Sequence, residues 1–134
     1  YLHDSLRAER PEVLREIVPD DFRHLDGTLL HGPAAAELLQ KDGLTDGEIL
    51  SAIAFHSIGS PGLKSLGRAL YAADFLEPGR DFSREWRAQL REQMPNRLDD
   101  VLVEIIRAKL NHQLERGSKI SEHTVAFWNG LISS

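Results

Sequence analysis

The chain has 134 residues, of which 41% are hydrophobic and 28% charged, with a formal net charge of −5 and no cysteine. That length and apolar fraction suit one globular domain spanning 1–134 with a sizeable core, and the missing cysteine excludes disulfides, thiolate zinc sites and cysteine nucleophiles together. The acidic balance argues against a nonspecific nucleic-acid partner, and the lack of a basic leader or an apolar run near the roughly 20 residues that span a bilayer argues against a membrane partner, so a soluble, cytoplasmic protein is expected.

In chain order, "YLHDSLRAERPEV" opens on an adjacent imidazole and carboxylate, His3 and Asp4. "YLHD" reads as the last turn of a helix already under way, so the sequence is expected to lack its N-terminal helix or helices. "PEVLREIV" has Pro11 in a first turn, Val13, Leu14, Ile17 and Val18 at helical spacing, and Pro19 as its stop. "GPAAAELLQKDG" starts with Pro33 in the first turn and ends at Gly43. "TDGEILSAIAFHSIG" predicts a capping box of Thr45 and Glu48, with His56 in the last turn and Gly59 closing it. Further helices are predicted in "LKSLGRALYAADFLEPG", stopped by Pro78, in "SREWRAQLREQM", in "LDDVLVEIIRAKLNHQLERG" with Gly117 as its stop, and in "SEHTVAFWNGLI". Alternating strand patterns and repeats are lacking, so the fold class is all-α.

The chemistry-bearing residues fall at the ends or on the inner faces of separate predicted helices. Asp74 lies among Leu70, Ala72, Ala73, Phe75 and Leu76, where a carboxylate is costly to desolvate unless it is paired or metal-bound; an Asp on the helix's one wet stripe is the equal alternative. His56, near a helix C-terminus, and His31, before a Pro-started helix, are each taken singly better read as structural histidines. Together with His3 and Asp4 they make three imidazoles and two carboxylates, a donor set that helical bundles use for first-row divalent ions. His24, His112 and His123 sit in polar surroundings and read as surface residues. "SIGSPG" is either a close approach for a nucleotide or a plain turn, Glu77 is a candidate ion-pair partner of Arg80, and Arg68 reads as a surface charge.

"LHD", then "LHGPAAAELL", then "AIAFHSIGSPGLKSLGRALYAADFLEPGR" resembles the YqeK family of HD-domain hydrolases in phrase, order and spacing, with Asn129 in "FWNGL" extending the likeness to nearly the whole chain. The resemblance implies an HD-domain helical bundle that cleaves diadenosine tetraphosphate symmetrically into two ADP through a hydroxide bridging two divalent metal ions, iron in the first place, with manganese, cobalt or zinc as alternatives. Carried over residue by residue, it implies His3, Asp4, His31, His56 and Asp74 as metal ligands, with Asp4 bridging. Two such cations about 3.5–4 Å apart clamp phosphate and supply hydroxide near neutral pH. Arg7, where the family usually has Lys, and Arg80 are the expected catalytic cations, and Arg7, Arg80 and Lys64 the expected substrate contacts. An upstream histidine is expected to complete the first metal's shell, and a homodimer is the family-based expectation. Two alternatives stand: an HD nucleotidase acting on another nucleotide, and a catalytically incomplete HD domain that binds nucleotide or a protein partner.

Overall fold

A computed structural model describes residues 5–6, 8–77 and 83–133. Seven α-helices are found among them and no strand: α1 (Pro11–Ile17), α2 (His31–Lys41), α3 (Gly47–Phe55), α4 (Ser65–Phe75), α5 (Arg84–Glu92), α6 (Leu98–Glu115) and α7 (Glu122–Ser133). None is long and apolar enough to cross a membrane. The all-α class read from the sequence is the class observed.

Punctuation accounts for most boundaries. Pro11 occupies the first turn of α1, where a missing N–H leaves nothing unsatisfied. Two starts differ from expectation. The cap of α3 is Asp46, whose carboxylate accepts from Glu48 N at 3.0 Å and Ile49 N at 3.1 Å; a charged acceptor outcompetes the hydroxyl of Thr45 at the positive end of the helix dipole. Helix α2 begins at His31, two residues ahead of Pro33, because Ala34 N donates to Leu30 O at 3.0 Å.

Neighbouring helices pack in sequence, α1 on α2, α2 on α3 and α3 on α4, after which α6 covers α4 and α7 covers α6. The buried side chains form two clusters. The larger joins Tyr71, Ala72 and Phe75 of α4 to Val101, Leu102, Ile105 and Ile106 of α6 and to Phe127 of α7. Those four α6 residues recur at the spacing of one helical stripe. The smaller cluster joins Leu14 and Val18 to Leu25, Leu29, Leu30, Ala34 and Ile58. Phe55 packs against both clusters, so the residue immediately before His56 is fixed from two sides.

Candidate active site

His31 and His56 are brought together by one close helix crossing. A Cβ on Gly32 would stand 2.8 Å from Ile53 O, 3.0 Å from Ala54 O and 3.1 Å from His56 Cε1, so only glycine allows α2 to approach the last turn of α3 this closely. The result is His31 Nε2 at 3.0 Å from His56 Nε2, with the rings edge to face. Both are buried, His31 at 7% exposure and His56 at 0%.

Each ring is oriented through its other nitrogen. His56 Nδ1 lies 2.6 Å from Ile53 O, and His31 Nδ1 lies 3.2 Å from Thr28 O. A carbonyl oxygen only accepts, so each Nδ1 carries the hydrogen and donates it. The carbonyl of Thr28 is itself held, because Asp26 accepts from Thr28 N at 3.0 Å and from Thr28 Oγ1 at 2.9 Å. Those two bonds, with help from the Arg116 and Arg15 charges, hold the Asp26 carboxyl below its ordinary value. Arg15 in turn donates to Arg23 O and Leu25 O and fixes the approach to that turn. The turn after His56 is tied from two more helices: Lys109 Nζ donates to Ser57 O at 2.9 Å and Thr124 Oγ1 to Ile58 O at 2.6 Å.

With both Nδ1 atoms protonated, two neutral rings would face each other through Nε2 lone pairs. A divalent ion held by both rings would use those two lone pairs. The donor set fits a divalent ion. Metal-bound imidazole characteristically donates its second N–H to a carbonyl or carboxylate, and both rings here have a carbonyl placed to accept one. Among the described residues no three His, Asp or Glu converge. His3, Asp4, Arg7 and Arg80, expected as two ligands and two substrate cations, lie outside the described residues.

Asp74 is half-buried on α4 and lines, with His31, a cleft of about 860 Å³ whose other wall is the face of α6 carrying Lys109, His112, Gln113 and Arg116. It lies on the wetter side of its helix, beside exposed Ala73. The end of α4 is clamped by two arginines of α5: Arg87 donates to Glu77 O and Arg91 to Leu76 O, each at 2.8 Å. The guanidinium of Arg87 also sits 5.1 Å from the centre of the Phe75 ring. Burial, and then the neighbouring Asp74 charge, push the Tyr71 phenol above its ordinary range, so it stays neutral. Its hydroxyl has no hydrogen-bond partner among the described residues.

Other expectations fall as follows. Lys64 is exposed at the start of α4 and is not among the residues lining the cleft. Arg68 pairs with Asp99 at 2.8 Å, a surface contact. His24 and His112 are exposed, but His112 belongs to the cleft wall. His123 is not a surface residue; it stacks on Phe22 and packs against Phe55, with centroids at 5.5 and 5.1 Å. Gly59, at φ +82°, has Phe127 where a side chain would stand, so "SIGSPG" turns into the core there. Sequence reasoning passes over Lys109 and Asp26 altogether. The one available signal for Asp26 is local, an Asp two residues before Thr28.

No family model matches the chain. A crystal structure of a Clostridium acetobutylicum protein, described as an HD-superfamily hydrolase involved in NAD metabolism, superposes with a TM-score of 0.86 at 29% identity, covering 98% of this chain and 72% of that one. Fold and comparison together define the molecule as an HD-domain helical bundle. Among curated relatives, the symmetrical bis(5'-nucleosyl)-tetraphosphatase of Bacillus subtilis is 29% identical over 98% of this chain and 73% of its own length. The enzyme of the same name from Halalkalibacterium halodurans is 25% identical over 97% and 72%. The chain is therefore an HD-domain protein similar to phosphohydrolases of the YqeK type over nearly its whole length.

Proposed function

We propose that the protein is a metal-dependent phosphohydrolase that cleaves diadenosine tetraphosphate symmetrically into two ADP. The observation that carries this reading is the His31–His56 pair, oriented through both Nδ1 atoms by carbonyls, with His31 in the wall of a cleft large enough for an extended nucleotide and His56 buried directly behind it. The names of the two curated relatives supply the substrate.

His31 and His56 would hold one divalent ion and Asp74 would contribute to a second, with His3 and Asp4 completing the set. Such ions, when bound, neutralise phosphate charge and lower the pKa of water to near neutral. The chain's own residues do the rest. The carbonyls of Thr28 and Ile53 keep both Nδ1–H groups engaged, so each Nε2 presents its lone pair. Cationic side chains would stabilise the charge that develops on the phosphate oxygens and on the departing ADP. Arg7 and Arg80 are proposed for that role. No side-chain nucleophile is needed.

The assay is direct. Full-length protein supplied with iron, manganese or cobalt should release ADP alone from diadenosine tetraphosphate, measured by ion-exchange chromatography. ATP plus AMP as products, or no turnover with any of the three metals, would sink the reading. A second reading, a nucleotidase acting on a pyridine dinucleotide or another nucleotide, draws on the description of the Clostridium relative; NAD and ATP belong in the same panel.

A further inference from the structure

We propose that Lys109, His112 and Arg116 of α6 and its C-cap form a phosphate-binding rail, holding the stretch of an extended nucleoside polyphosphate that lies beyond the histidine pair. The proposal rests on the phosphohydrolase reading above and adds a subsite to it.

The three residues are spaced by three and four positions, so they share one helix stripe, and all of them line the cleft that contains His31 and Asp74. From 109 to 116 the stripe runs about 10 Å along the helix axis, a length that lies beside several successive phosphates. Its inner end is fixed. Lys109 Nζ donates at 2.9 Å to the carbonyl of Ser57, the residue after His56, and sits 4.2 Å from the centre of the Tyr71 ring. Its outer end is adjustable. Arg116 is exposed and its ion pair with Asp26 Oδ2 is long, at 4.0 Å, while Asp26 Oδ1 is already occupied by Thr28.

Charge is sorted across the cleft. Among the described residues its acidic members, Glu9, Asp26 and Asp74, come from outside α6, and α6 contributes only cationic or neutral side chains to the lining. In a chain of net charge −5 this stripe is a local exception. The negative end of the α6 dipole would repel an anion, so binding there depends on these side chains, and a guanidinium fork can take phosphate oxygens bidentately. Gln113, in the same wall, has a buried amide oxygen with no hydrogen-bond partner among the described residues. That acceptor suits a hydroxyl or amino group of the nucleoside that ends such a chain.

The test uses the full chain as purified and inorganic tripolyphosphate as probe, with binding followed by calorimetry at low salt. His112 and Arg116 are exposed, so Arg116→Ala and the His112→Ala/Arg116→Ala double variant should keep the wild-type circular dichroism. Arg116→Ala should weaken binding about fivefold to tenfold, the double variant more, and Arg116→Lys less. No binding by the wild type, or variants that bind within about twofold of it, overturns the rail. With metal supplied and diadenosine tetraphosphate as substrate, Arg116→Ala should raise KM more than it lowers kcat; an unchanged KM also overturns it. If the wild type cleaves no diadenosine tetraphosphate yet the variants still lose tripolyphosphate binding, the substrate reading fails and the rail stands.

Discussion

One wall of the cleft is buried and set in advance, and the other is exposed and adjustable. His31 and His56 are sealed between α2 and α3, each ring held by a carbonyl within its own turn of chain. Across the cleft, α6 passes from Lys109, partly buried and pinned, to His112 and Arg116, both open to solvent. The difference matches what each wall is asked to hold. Metal coordination tolerates errors of only about 0.2 Å in ligand distance, whereas a flexible phosphate chain can be met by side chains that move to it.

The largest effect should come from breaking the buried wall. His56→Ala is expected to reduce metal content, measured by plasma emission spectrometry, and to drop turnover to background. Wild-type metal content and turnover in that variant would erase the distinction between the walls. Arg87→Met comes next. Arg87 is 1% exposed and holds the carbonyl that follows α4, so its loss should cost about 2–4 kcal/mol in urea unfolding and loosen Asp74; a cost under about 0.5 kcal/mol would show the clamp to be unimportant.

Gly32→Ala sharpens the comparison by geometry alone. The added methyl meets two backbone carbonyls that cannot rotate away, so destabilisation of about 1–3 kcal/mol should accompany weaker metal binding, while tripolyphosphate binding by α6 should be less affected. Equal loss of both would mean that the walls act as one unit. Asp26→Ala should have the smallest effect, about 1 kcal/mol, together with a loss of roughly tenfold in metal affinity, because it acts on His31 only through Thr28. Its pH dependence has a defined sign. The folded carboxyl titrates below its ordinary value of 3.8, so its contribution is complete above that value and disappears as pH falls through the lower, folded one. The stability gap between wild type and Asp26→Ala should therefore close in acid, and a gap that widened there would contradict the assignment.

The helices were legible because their ends carry proline and glycine, residues that act within a few positions. The cap of α3 shows the limit of that reading: Thr45 and Asp46 are both good capping residues, and it is the Asp46 carboxylate that takes the amides of Glu48 and Ile49. His31, His56 and Asp74 stand out through the spacing of their phrases, but the contact between the two imidazoles depends on Gly32, whose meaning requires knowing that α3 crosses there. Lys109 was invisible for the same reason, since its partner Ser57 is 52 positions away. His123 reads as polar surface from its neighbours, yet Phe22 and Phe55 come from distant segments to stack on it.

On the reading proposed, His31 and His56 hold a divalent ion through Nε2 while Nδ1 stays protonated. Imidazole ¹⁵N NMR of the metal-depleted full-length protein, titrated with zinc, tests it most directly. Both Nε2 resonances should move to the metal-bound range while both Nδ1 atoms keep their protons. Nε2 resonances of His31 and His56 that stay unchanged on addition of saturating zinc would contradict it.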